Sequence, residues 1–134
     1  MINTKINCSI ERVCRVLIIE DNRIDNMVLQ QILDCKNIAT TICDDGVEAW
    51  NLINTISVPD LVFLELLIPG IKGFQLLEHI RSKKAWNKVP IIVISKLGDL
   101  DSVKNSIKLG VTAYIHKPYN AVRLRSEIDN FLNI

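Results

Sequence analysis

Short apolar runs alternate with helical patterns along the chain. The first run, Cys14-Arg15-Val16-Leu17-Ile18-Ile19-Glu20, predicts a strand. A polar turn follows, Asp21-Asn22-Arg23-Ile24-Asp25, in which Asp25 is placed to cap a helix. Ile24, Val28, Leu29, Ile32 and Leu33 then recur at helical spacing. Ile38 to Cys43 is rich in β-branched residues and predicts a second strand, closed by the turn Asp44-Asp45-Gly46. Val47, Trp50, Leu52 and Ile53 give the next helix its apolar side. Pro59-Asp60 opens a third strand, Leu61 to Leu64, and Gly73 to Arg81 carries Phe74, Leu77 and Ile80 on one helical face. Pro90 opens a fourth strand, Ile91 to Ser95. Asp99 or Asp101 caps a helix containing Val103 and Ile107, which Gly110 ends. Thr112 to His116 reads as a fifth strand, and Asn120 to Leu132 as a last helix with Leu124, Ile128, Phe131 and Leu132 on one side.

The first, third and fourth runs are almost continuously apolar, as strands covered on both faces must be. Alternating β and α elements argue for a parallel sheet with right-handed crossovers. No Gly/Ser-rich linker, low-complexity tract or solenoid repeat interrupts the pattern. One domain is therefore expected over residues 13–134, preceded by a polar N-terminal arm, residues 1–12.

Composition narrows the function classes. The 134 residues are 49% hydrophobic and 23% charged, which suits a globular core. The formal net charge of +1 is too balanced to point to nucleic acid or to an anionic membrane surface. No apolar run approaches a membrane span, and the polar N-terminus lacks the apolar core of a signal peptide, so a cytoplasmic location is the expectation. Cys8, Cys14, Cys35 and Cys43 form no C-x-x-C pair, and the two histidines, His79 and His116, lie far from them in sequence. Neither a zinc site nor disulfides are expected; Cys14, Cys35 and Cys43 read as small core residues. His79, His116, Trp50 and Trp86 have no ligand-like spacing and read as structural or exposed.

In an open α/β sheet, sites form at the carboxyl ends of the strands. Here those ends carry Glu20-Asp21, Glu65, Ser95 and His116-Lys117-Pro118. In a strand order 2-1-3-4-5, three carboxylates, a hydroxyl and an ammonium would meet at one rim. Such carboxylates repel unless a cation joins them, and a hard oxygen set suits Mg²⁺. Lysine and hydroxyl beside a carboxylate and a metal is a layout for phosphoryl transfer. A nucleotide or flavin site is disfavoured, because Glu20-Asp21-Asn22 would repel phosphate and no G-x-G-x-x-G loop is present. No nucleophile–base pair points to a hydrolase, and no enzyme activity is expected.

The pieces VLIIEDN, PDLVFLELLIPGIKGFQLL, PIIVIS and LGVTAYIHKPY, with their spacing, resemble the receiver domain of two-component response regulators from Cys14 to Leu132. The resemblance implies a flavodoxin-like α/β fold, a five-stranded parallel sheet of order 2-1-3-4-5 with helices on both faces. It implies that Glu20 and Asp21 help bind Mg²⁺ together with Glu65, which stands at the phosphoacceptor position. It also implies a hydroxyl switch at Ser95, a phosphate-contacting lysine at Lys117 and an aromatic switch at Tyr114, which turns inward when Ser95 is drawn toward an anion. The family's phosphoacceptor is aspartate; Glu65 is longer by one methylene, about 1.5 Å. A misplacement of about 1 Å costs on the order of 100-fold in a positioned reaction. Glu65 is thus expected to reach Ser95 or Lys117 and imitate part of a phosphate, with Mg²⁺ binding weakened or absent if it pairs with Lys117. The implied activity is that of a single-domain pseudo-receiver in a phosphorelay, with a phosphorylatable, Mg²⁺-dependent receiver served by a histidine kinase as the alternative. Partners are expected to be proteins, a kinase or an effector, at the last two helices and fifth strand (Lys104, Lys108, Tyr114, Arg123), on a monomer or homodimer. Lys96, after Ser95, reads as a solvated loop residue.

Overall fold

All five apolar runs are strands in the computed structural model, which describes residues 13–34 and 37–132. The chain runs β1 (Cys14–Ile19), α1 (Arg23–Ile32), β2 (Ile38–Cys43), α2 (Gly46–Thr55), β3 (Leu61–Leu64), α3 (Gly73–Ser82), β4 (Ile91–Ser95), α4 (Leu100–Lys108), β5 (Ala113–His116) and α5 (Ala121–Leu132). Every strand pairing is parallel, and the order is β2-β1-β3-β4-β5. This is the expected five-stranded flavodoxin-like fold. The expected N-terminal arm, residues 1–12, lies outside the described residues.

Strand periodicity divides the core in two. Leu17, Ile19, Val62, Leu64 and Val93 point to one face and pack with Leu76, Leu77, Ile80 and Trp86. Val16, Ile18, Phe63, Ile92 and Ile94 point to the other and meet Leu29, Leu33, Leu124 and Ile128. The central strands β3 and β4 are buried at every residue, whereas the edge strands β2 and β5 are mostly half-buried or exposed. That contrast follows from covering both faces of the sheet while leaving its edges open.

Three local readings change. Asn22, not Asp25, caps α1: its side chain accepts from the Asp25 N–H, which puts Asp25 inside the first turn. On α4 the expected apolar face is not the buried one, since Ile107 is 63% exposed and Ser106 is fully buried. The Ser106 hydroxyl is satisfied by the Ser102 carbonyl, which removes the cost of burying it. Among the cysteines, Cys43 is a buried free thiol whose pKa burial pushes up to about 12. Cys14 is buried and disulfide-bonded, contrary to the expectation of no disulfide. Sequence spacing does not report the Cα separation on which such pairing depends.

The loop after β3 is shaped by two glycines. Gly70 has φ +88°, a left-handed conformation that side chains rarely adopt. A Cβ on Gly73 would lie 2.4 Å from the Leu66 Cα, so α3 can start this close to the loop only with glycine there. At the other end of α3, the Arg81 guanidinium donates to the carbonyls of Gly110, Trp86 and Val89 and so ties the helix to two loops. Arg81→Ala is expected to lower folding stability by about 2 kcal/mol, because charged donors to several carbonyls are lost together; urea unfolding measures it.

Candidate functional site

The carboxyl ends of β1, β3, β4 and β5 bring Glu20, Glu65, Ser95 and Lys117 into one buried cluster. Glu20 and Glu65 are each 2% exposed, Ser95 is fully buried and Lys117 is 8% exposed. Parallel pairing sets this meeting. The Glu65 N–H donates to the Ile19 carbonyl and the Lys117 N–H to the Ser95 carbonyl, so adjacent strands end at the same level.

Glu65 points inward. Its Oε1 accepts from the Ser95 hydroxyl at 3.2 Å and from the Leu67 N–H at 3.2 Å. Its Oε2 is buried without a hydrogen bond and lies 3.7 Å from the Lys117 Nζ. The Ser95 Oγ in turn accepts from the Leu97 N–H at 3.2 Å, and the Tyr114 hydroxyl donates to the Leu97 carbonyl. A continuous chain therefore runs from Glu65 through Ser95 and Leu97 to Tyr114, which is half-buried and packed on the core. Lys96 is exposed, as expected, and contributes only a long 3.5 Å backbone contact to Glu65 Oε1.

Lys117 is held elsewhere more tightly than by Glu65. Its Nζ donates to Glu20 Oε1, and to Asp25 Oδ2 at 2.8 Å. Asp25 also accepts from the Tyr119 hydroxyl at 3.3 Å. Sequence reasoning gave Asp25 only a capping role. The signal it offered was a carboxylate one helical turn beyond Glu20-Asp21, at the start of a helix that leaves the same strand end.

One ammonium here faces three carboxylates, and the electrostatics reflect the imbalance. Burial raises the pKa of both Glu20 and Glu65; Lys117 and nearby N–H donors oppose the rise without cancelling it. Burial works against the Lys117 charge, but the hydrogen bonds to Asp25 and Glu20 and the charges of Glu20 and Glu65 outweigh it. Its pKa stands above the ordinary lysine value. Burial raises the Tyr119 pKa to about 12, helped by the Asp25 charge and hydrogen bond. Since the carboxylate favours the protonated phenol, Asp25→Asn is expected to bring the Tyr119 pKa down toward the ordinary value of 10.0. Following phenolate absorbance through an alkaline titration reads this directly.

The metal expectation meets a different geometry. Asp21 is exposed and lines a groove of ≈ 550 Å³ with Asp44 and Glu48. Among the described residues, the one group of three ligating side chains whose donor atoms all lie within 4.8 Å of one another is Asp44, Asp45 and Glu48, a mostly exposed set. Glu20, Asp21 and Glu65 are not gathered in that way. The oxygens of Glu20, Asp25 and Glu65 have the right chemistry for Mg²⁺, but they are arranged around the Lys117 ammonium, not around a common open point. In this arrangement the residues do not fit a divalent ion.

Comparison with known proteins agrees with this architecture. The model of the response regulator receiver domain matches residues 16–129. The chain belongs to the response regulator receiver family. Its receiver sequence is 30% identical over 115 residues to the Regulator of RpoS of Escherichia coli, covering 85% of this chain; the chain spans 33% of that regulator's length. The crystal structure of a phosphorylated cyanobacterial phytochrome response regulator, RcpA, superposes with a TM-score of 0.82 at 26% identity, over 90% of this receiver and 94% of that chain. The Mn²⁺-bound response regulator Rcp1 shares the fold with a TM-score of 0.81 at 23% identity, over 88% of this receiver and 93% of that chain. Trp86 is buried, and Trp50 stacks on His79 with ring centroids 3.6 Å apart. His116 is exposed, with its Nε2 3.1 Å from the Lys96 carbonyl oxygen.

Proposed function

We propose that this receiver is a pseudo-receiver of a two-component phosphorelay, acting by protein–protein interaction and not as an enzyme. Glu65 occupies the phosphoacceptor position and supplies permanently the anion that a phosphoryl group would supply transiently. The observation that carries this reading is the Glu65 Oε1 to Ser95 Oγ contact of 3.2 Å, continued through Leu97 to Tyr114. With Ser95 drawn to an anion and Tyr114 tied inward, the switch elements are held in one arrangement. The partner surface is the face of α4, β5 and α5, where Leu100, Ile107 and Val122 are 65%, 63% and 79% exposed among Lys104, Lys108 and Arg123. Exposed apolar side chains rimmed by charge suit protein docking. No helix among the described residues is long and apolar enough to cross a membrane, and the expected setting is the cytoplasm.

The alternative, a phosphorylatable receiver fed by a histidine kinase, draws on the unbonded Glu65 Oε2 as nucleophile. Incubation with a small acyl phosphate and Mg²⁺, followed by intact mass, separates the two. The pseudo-receiver reading expects the mass to stay unchanged. A phosphate adduct that disappears in Glu65→Gln would establish the alternative.

A further inference from the structure

The Lys117 ammonium has three carboxylates within reach, yet it sits farthest from the one at the phosphoacceptor position. It is in short contact with Glu20, 2.8 Å from Asp25 and 3.7 Å from Glu65. Asp25 makes the difference. It projects from the first turn of α1, an element separate from the strands that carry the other charges, and its second oxygen is fixed by the Tyr119 hydroxyl. Two anchors on different elements thus hold the ammonium where an ion bridging Glu20 and Glu65 would have to enter.

We infer that Asp25 is a positioning residue that locks Lys117 into the site as its resident cation, closing this receiver to divalent metal. To enter, a metal would have to break both the Glu20 and the Asp25 contacts of the lysine. The oxygens of Asp25, with those of Glu20 and Glu65, do not form a set lying within 4.8 Å of one another. Neutralising Asp25 therefore loosens the lysine while leaving the carboxylates of Glu20 and Glu65 in place.

The inference deepens the pseudo-receiver reading, and its test is independent of phosphorylation. The electron paramagnetic resonance signal of free Mn²⁺ is followed while protein is added, up to millimolar Mn²⁺. The wild-type protein is expected to show no saturable uptake that depends on Glu65. Asp25→Asn and Lys117→Met are each expected to take up one Mn²⁺, with affinity increased on the order of 100-fold for Lys117→Met, because a unit charge is removed from contact distance in a partly buried site. Adding Glu65→Gln to either variant is expected to abolish that uptake, which distinguishes it from ions at the exposed Asp44-Asp45-Glu48 set. Circular dichroism checks that each variant is folded, and the wild-type titration stands without either. Wild-type uptake that Glu65→Gln removes overturns the inference, as does failure of folded Asp25→Asn to gain Mn²⁺. Neither outcome alters the intact-mass result, so the two readings fail separately.

Discussion

Lys117→Met is expected to destabilise the fold by about 3–5 kcal/mol, the usual effect of removing one partner from a buried ion pair. For a domain of this size that is a fall in melting temperature of roughly 10–20 °C, read by circular dichroism. The cause is specific. Glu20, Asp25 and Glu65 would face one another with no cation among them, although Glu20 and Glu65 are each 2% exposed. The pH dependence follows from the raised Lys117 pKa. A lysine whose folded pKa exceeds its unfolded value of 10.5 contributes stability that is fully present below 10.5 and is lost as pH rises through the folded pKa. The difference between wild type and Lys117→Met should therefore be constant near neutrality and shrink in strong alkali. A small effect at neutral pH would mean that water reaches the carboxylates and that the cluster is less closed than its burial indicates.

Glu65→Leu is expected to act in the opposite direction, raising stability by about 1–3 kcal/mol, the usual cost of burying a polar group without a hydrogen bond, because Glu65 is 2% exposed and its Oε2 is unbonded. Burial raises the Glu65 pKa, so the folded state holds its proton more tightly than the unfolded chain. That penalty is absent below the unfolded value of 4.5 and grows as pH rises through the folded pKa. The gain from Glu65→Leu should then be small near pH 4.5 and larger toward neutrality, as urea unfolding across pH would report. The same substitution removes the acceptor for Ser95 and for the Leu67 N–H. Exchange of the Leu67 amide should accelerate by roughly fivefold, the equivalent of one ordinary hydrogen bond. A receiver that is more stable without Glu65 would mark the carboxylate as kept for signalling and not for folding. A loss of stability would instead show that Lys117 and the surrounding donors more than compensate its burial.

Much of this was legible in the residues. The β1 and β4 runs and the LVFL of β3 read as strands covered on both faces, and parallel strands order their ends on one rim. The sequence therefore placed Glu20, Glu65, Ser95 and Lys117 at the same rim. It also set the inward reach of Glu65, through side-chain length, toward the two groups it meets at 3.2 and 3.7 Å. Helix faces were less secure. The α4 stripe of Val103 and Ile107 obeyed helical spacing, but a short helix against a sheet edge buries only part of its surface, and Ser106 took the buried place.

The identity of the groups at the rim was determined by the sequence alone, because strand ends follow from where apolar runs stop and polar residues begin. Which charge meets which was decided by tertiary structure. Asp25 and Lys117 are separated by 92 residues and lie on an α1 turn and a β5 end. Only the packing of α1 against the sheet brings that carboxylate within 2.8 Å of the ammonium, while Asp21, next to Glu20 in sequence, turns outward to solvent. Neighbouring residues after a strand point in different directions, and a helix returns its first turn over the strand ends. That geometry, and no local pattern, makes Lys117 the cation of this site.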